Sequence, residues 1–168
     1  MKANAMEEAY EKYYRELYLY ALSLCRDENL AEDLVSETFY KAFIGSHQSK
    51  GPFKYWLFRV LKNHLIDLKR KKTASLTLDT HSKFIPDRSI KEPSKSYIEK
   101  DRNQRLFRHL MALEPEVYRE VLYLFYYGGM TIRDISKNIG RTENHTKTTL
   151  FRARKKLGKA LKEDHYEF

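Results

Sequence analysis

Apolar residues recur along most of this chain at a spacing of three and four, the mark of helices with one buried stripe. Over residues 7–25 the stripe is Ala9, Tyr13, Leu17, Ala21 and Leu24, with Tyr10, Tyr14, Tyr18 and Tyr20 around it as core or core-edge residues. A polar break at 26–29 precedes a second helix. There Asn29 and Glu32 fit a capping box, and Ala31, Leu34, Val35, Thr38, Phe39 and Ala42 point inward. Gly, Ser and Pro cluster over 45–52, which reads as a loop, and Pro52 suits the first turn of the helix that follows. The third helix has the steadiest pattern of all, through Phe53, Trp56, Leu57, Val60, Leu61, His64, Leu65 and Leu68.

The period is then lost. Residues 73–96 are rich in Ser, Thr, Asp and Pro, as a linker between domains is, and are long for a loop inside one. Beyond them, 97–113 carries Ile98, Leu106, Leu110 and Leu113 in a mostly charged helix that Glu114-Pro115 breaks. A shorter apolar helix with Val117, Val121, Leu124 and Phe125 ends at Gly128-Gly129. Two more helices fill 131–157. Ile132, Ile135 and Ile139 form one apolar face, Gly140 closes that helix, and Thr142 caps the next, whose inner face is Thr146, Leu150, Ala153 and Leu157. A short helix, a turn and a longer basic helix make a helix-turn-helix, whose second helix enters the DNA major groove. The expected fold is all-α: two small helical domains, 1–72 and 97–168, joined by a flexible linker at 73–96, the C-terminal one containing the helix-turn-helix.

Charge sharpens this picture. The net charge is +9, which favours an anionic partner. Its distribution says more: residues 1–49 hold five Lys or Arg against nine acids, 50–72 eight against one, and 141–162 eight against one. An acidic N-terminal portion is thus followed by two basic patches, one face for a partner and two contacts with a polyanion. The single Cys25 excludes an intrachain disulfide and a multi-cysteine zinc site, and it reads as a buried, inert thiol in a reduced, cytoplasmic setting. No signal peptide and no window of membrane-spanning length is visible.

Three groups of side chains could carry chemistry. Asp33 and Glu37, four residues apart, can share one side of the second helix beside Glu32; that side is either a solvated polar face or a protein-docking face. On the third helix, Lys54, Arg59, Lys62, Lys69, Arg70, Lys71 and Lys72 lie mostly off the apolar stripe, next to Phe53, Tyr55, Trp56 and Phe58. Cations on phosphates and an aromatic or a pocket for an unstacked base would suit single-stranded nucleic acid; an amphipathic core helix with a solvated basic side fits the same pattern. His64 lies on the apolar stripe and reads as packed or hydrogen bonded. On the last helix Asn144, His145, Lys147, Thr148 and Arg152 point away from the core stripe.

Three segments in this order, LYLYALSLCRDENLAEDLVSETFYKAF, FKYWLFRVLKNHLIDLKRKK and LMALEPEVYREVLYLFYYGGMTIRDISKNIGRTENHTKTTLFRARKKL, resemble a bacterial RNA polymerase sigma factor of the extracytoplasmic-function (ECF) group, in the sigma-70 superfamily, reduced to its second and fourth conserved regions. The resemblance spans nearly the whole chain. It implies a non-catalytic subunit that binds core RNA polymerase, directs it to specific promoters and helps open the DNA, with no cofactor. Glu32, Asp33, Glu37 and Phe39 match the motif that docks on the large polymerase subunit. Ser46, His47, Lys50 and Phe53 match the loop that captures an extruded base of the non-template strand. Lys54, Arg59, Lys62, Asn63, Asp67 and Arg70 match the element that separates strands and contacts phosphates. Arg141, Asn144, His145, Lys147, Thr148, Arg152 and Arg154 match the reader of the duplex upstream element. The resemblance also implies an anti-sigma regulator, of a kind often anchored in the membrane.

The chain departs from the family pattern around the start of the last helix, where Thr149 stands in place of the usual arginine, and at Gly128-Gly129, where one glycine is usual. Two other classes of function compete with this reading. A stand-alone helix-turn-helix regulator would need only the C-terminal domain, but no obvious dimer helix supplies the symmetry that half-sites require. A nuclease would need Asp33, Glu37 and Asp67 to converge on Mg²⁺.

Overall fold

The computed structural model describes residues 3–45, 51–78 and 102–164, with side chains at 75–78, 102 and 103 left aside. All regular structure among the described residues is helical: α1 (Ala3–Cys25), α2 (Glu28–Ile44), α3 (Phe53–Leu78), α4 (Arg102–Met111), α5 (Glu116–Tyr126), α6 (Ile132–Ile139) and α7 (Glu143–Glu163). The first three pack on one another, and the last four form a second group around α7.

Local chemistry explains most boundaries. The cap of α2 is Asp27 and not Asn29: its side chain accepts from the Leu30 amide at 3.0 Å. Arg26, in the left-handed region at φ 54°, turns the chain sharply enough to bring Asp27 there. Pro52 sits just outside α3, with its carbonyl accepting from the amides of Tyr55 and Trp56. The helix then runs past Lys72 to Leu78, where the linker was expected to have begun, because 73–78 contains no breaker and the Thr73 hydroxyl bonds back to the Lys69 carbonyl. The turn of the helix-turn-helix follows the expected chemistry. Gly140 takes φ 68°, which costs a side-chain-bearing residue more, and Thr142 caps α7 by accepting from the His145 amide at 3.1 Å.

The two groups do not keep separate cores. Helix α1 lies between α2 and α3 on one side and α5, with α4, on the other; α3 also meets α6. This explains the tyrosines of α1. Every residue from Leu17 to Leu24 is buried, so this end of the helix is covered all round. Tyr20 stacks on Tyr123 of α5, ring centroids 5.8 Å apart, and meets Phe58 of α3 edge-on at 5.0 Å. Each such ring pair is worth about 0.5–1.5 kcal/mol beyond the area it buries.

Candidate functional site

The outer side of α2 carries the expected acids. Glu32 and Asp33 are exposed and Glu37 is half-buried. Phe39 does not join them. It is 6% exposed, and its ring lies 4.9 Å from that of Tyr10, so it props the helix from beneath and presents nothing to a partner. Sequence reasoning missed the apolar continuation of this side. Helical spacing puts Asp33, Glu37, Tyr40 and Ile44 in one row, and Tyr40, Phe43 and Ile44 are all more than half exposed. Their signal was available: large apolar residues at positions off the core stripe of the same helix.

Of the residues expected at melted DNA, Ser46, His47 and Lys50 lie outside the described residues. Phe53 is half-buried and stacked on Trp56, centroids 5.6 Å apart. The cations of α3 divide into two rows. Arg59, Asn63 and Arg70, together with Asp67, are exposed. Tyr55, Lys62 and Lys69, seven residues apart, turn toward the C-terminal group. The Tyr55 hydroxyl donates to the Gly129 carbonyl, and the Lys62 ammonium lies 2.8 Å from Glu120 and 3.8 Å from Glu116. Lys69 lies 2.8 Å from Glu116. Lys54 pairs with Glu16 at 2.6 Å. Lys62 was expected on an open nucleic-acid face, and here it is 14% exposed in an ion pair, because α5 covers that row.

The Glu120 carboxylate is the hub of this contact. It accepts from Tyr20 at 2.8 Å as well as from Lys62, and the Tyr20 oxygen in turn accepts from the Asn138 amide at 2.8 Å. Burial pushes the Glu120 carboxyl above the usual range, against the pull of the Lys62 ammonium. Burial, then the neighbouring Glu120 carboxylate, holds the Tyr20 phenol well above 10.0.

On α7 the inner side is as expected: Thr146, Leu150, Ala153 and Leu157 are buried. Asn144, His145, Lys147, Thr148 and Arg152 are exposed, and Arg141 stands exposed before them. Thr149, in the place of the usual arginine, is on the buried side, its hydroxyl donating to the His145 carbonyl at 2.8 Å. Arg154 is exposed as well, but it is engaged within the protein. Its guanidinium donates to the Tyr126 hydroxyl at 2.7 Å and lies 4.8 Å from the Phe125 ring centre, which ties α7 to α5. The missed residue is Phe151, 66% exposed and in one row with Asn144 and Thr148.

Burial drives the Cys25 thiol up to about 11, in keeping with an inert role. His64 accepts from the Lys41 ammonium at 3.2 Å, the hydrogen-bonded reading of that residue. Among the described residues no three His, Cys, Asp or Glu side chains gather as a metal site, and no helix is long and apolar enough to cross a membrane.

Comparison with known proteins agrees with this layout. Residues 9–75 match the family model for Sigma-70 region 2, and residues 105–157 match that for Sigma-70, region 4. The ECF RNA polymerase sigma factor SigM of Bacillus subtilis is 33% identical over 158 residues, covering 93% of this chain and 94% of its own length. The ECF RNA polymerase sigma factor SigL of Mycobacterium tuberculosis is 27% identical over 168 residues, covering 96% and 92%. The fold is shared with the sigma factor RpoE of Bartonella quintana, solved in complex with the anti-sigma factor NepR: TM-score 0.74 at 24% identity, over 95% of this chain and 98% of that one. CnrH, solved with the cytosolic domain of CnrY, superposes with a TM-score of 0.63 at 24% identity, over 97% and 91%. With both conserved regions present in order and a relative above 30% identity along nearly its full length, this chain belongs to the ECF sigma factors of the sigma-70 superfamily, non-catalytic subunits that bind RNA polymerase and direct transcription initiation.

Proposed function

We propose that three surfaces divide the work of this sigma factor. The outer side of α2, with Glu32, Asp33 and Glu37 continued by Tyr40 and Ile44, docks on core polymerase. The exposed row of α3, with Arg59, Asn63 and Arg70, together with Phe53, takes the opened non-template strand, as do Ser46, His47 and Lys50 of the preceding segment. The outer side of α7 reads the duplex upstream element. The observation that carries this reading is the separation of sign: acids and exposed aromatics on α2, cations on α3 and α7, each off its helix's core stripe.

The physics is that of binding, not of catalysis. Unstacking a base costs a few kcal/mol, and capture against an aromatic with phosphates on Arg59 and Arg70 offsets it. On the duplex, Asn144 suits adenine, Arg152 suits guanine, and an exposed Phe151 suits a thymine methyl, while Lys147 on a phosphate holds the helix in register. A protein regulator of the anti-sigma class is the further partner this reading includes, since RpoE and CnrH were each solved with a protein partner and share this fold.

Docking is the step to test first. Asp33→Lys with Glu37→Lys is expected to weaken binding to purified core polymerase while the free chain keeps its circular dichroism and melting temperature, because both side chains reach solvent. Unchanged affinity for core polymerase would remove α2 from the docking surface.

A further inference from the structure

Between α4, α5 and α7 lies a groove of about 500 Å³, the size of a small-molecule site. Leu106 and Leu110 of α4 line it together with Leu157 and Leu161 of α7. Tyr126 and Tyr127, at the end of α5, line it as well, and the Tyr126 side chain is largely exposed. Gly158 leaves room in the α7 wall, where a Cβ would meet nothing within 4 Å. Such walls gain from covering by an apolar body. The groove also holds one cation, Arg154. The Arg154 Nε donates to the Tyr126 hydroxyl at 2.7 Å, and its guanidinium lies 4.8 Å from the Phe125 ring centre and 5.4 Å from that of Tyr126. These contacts fix the plane of the group, while its two terminal nitrogens bond to no described residue.

The geometry points to a binding site for a small amphiphilic monocarboxylate of the fatty-acid class, with its carboxylate on Arg154 and Tyr126 and its apolar chain between Leu157, Leu161 and α4. A fixed guanidinium with both terminal nitrogens open matches a carboxylate in two parallel hydrogen bonds. The Tyr126 oxygen accepts from Arg154, so its own proton remains to be donated. From Arg154 to Leu161 the α7 helix rises roughly 10 Å, which sets the length of chain the wall can cover. Past Leu106 and Leu161 the apolar stretch gives way to charges that satisfy one another: Asp164 takes Arg105 at 3.0 Å and His109 at 2.9 Å. One open cation at one end favours a ligand with one charged end over a partner helix, whose polar groups recur along its length. Arg154 stands roughly 200° of helical turn from Arg152, so the groove stays open when the outer side of α7 lies on a duplex.

The test is calorimetric titration of the full chain with n-octanoate, n-octanol and n-hexanoate. Octanoate should bind saturably, one per chain. Octanol keeps the apolar chain and loses the charge, and should bind about tenfold more weakly. Hexanoate keeps the charge and lacks two methylenes, and should also bind at least about tenfold more weakly. Gly158→Leu fills the groove from a position with room for a side chain, and should abolish octanoate binding while the melting temperature is held or raised. Arg154→Gln should bring octanoate down to the affinity of octanol. Because Arg154 also ties α7 to α5, Gly158→Leu decides the matter should Arg154→Gln not fold.

Octanol bound as tightly as octanoate overturns the role of Arg154 and with it the carboxylate class. Octanoate binding that survives Gly158→Leu places the ligand elsewhere and overturns the site. If wild type binds no octanoate while Gly158→Leu weakens binding to core polymerase, the groove belongs to a protein partner and the proposal falls. None of these results bears on the assignments of α2, α3 or the outer side of α7.

Discussion

Helices α3 and α7 are both long, amphipathic and basic, yet their cations have opposite fates. On α3, Lys54, Lys62 and Lys69 are each paired with an acid, two of them across the contact between the helical groups. On α7, Lys147 and Arg152 stand in solvent with no acid of the described residues against them. The outer side of the helix proposed to read the duplex is exposed, whereas part of the one proposed for melted DNA is covered.

The largest expected contrast between the two helices is in stability. Lys62→Ala would leave the Glu120 carboxylate buried without its cation and should cost about 3–5 kcal/mol. Lys147→Ala, on a solvated face, should change stability by less than about 0.5 kcal/mol. Urea unfolding of the two variants measures both. Equal, small effects would mean that the ion pair at α3 carries little of the contact.

The next contrast lies within α7. Arg152→Ala or Asn144→Ala should relax preference at one upstream base pair by about 1–3 kcal/mol if the contact is bidentate. Lys147→Ala should weaken all upstream sequences alike and lower the salt slope by roughly 1. Binding of holoenzyme to a library randomised in the upstream element, at several salt concentrations, separates these outcomes. A change of preferred sequence in Lys147→Ala alone would reverse the assigned facing of the helix.

The smallest effect is in the pH dependence of α3. Burial, and then the Lys41 ammonium, lower the His64 imidazole below 6.5. The folded chain therefore binds fewer protons there than the unfolded chain. The stability His64 contributes is full above 6.5 and is lost as pH falls from 6.5 through the lowered folded value. His64→Gln should flatten this slope, and an NMR titration should find the imidazole titrating below its ordinary value. A midpoint at or above 6.5 would contradict the lysine–imidazole contact.

Much of this molecule was legible in the order of its residues. The helix-turn-helix was readable because its signals are local: Gly140 at a left-handed turn and Thr142 over the third amide beyond it act within a few residues. The same holds for the regular stripe of α3 and for the break at Glu114-Pro115. Boundaries set by competition were harder. Asp27 and Asn29 are both good caps, and the left-handed turn at Arg26 decided for Asp27. The end of α3 was placed at the close of its basic run, but a change in composition does not stop a helix when no glycine or proline does.

What the sequence determined by itself was the set of helices, their inner stripes, and the division of charge into an acidic first portion and two basic ones. Those depend on interactions between near neighbours, and periodicity reports them directly. The tertiary structure alone decided which cations face solvent, why Tyr18 and Tyr20 are buried outside the stripe, and that Arg154 bonds to Tyr126. Tyr20 and its carboxylate partner Glu120 are 100 residues apart, and no periodic pattern in either helix points to the other. A helical stripe tells which side turns inward on its own unit. It carries no information about what a second unit, folded on distant chain, will lay over the opposite side.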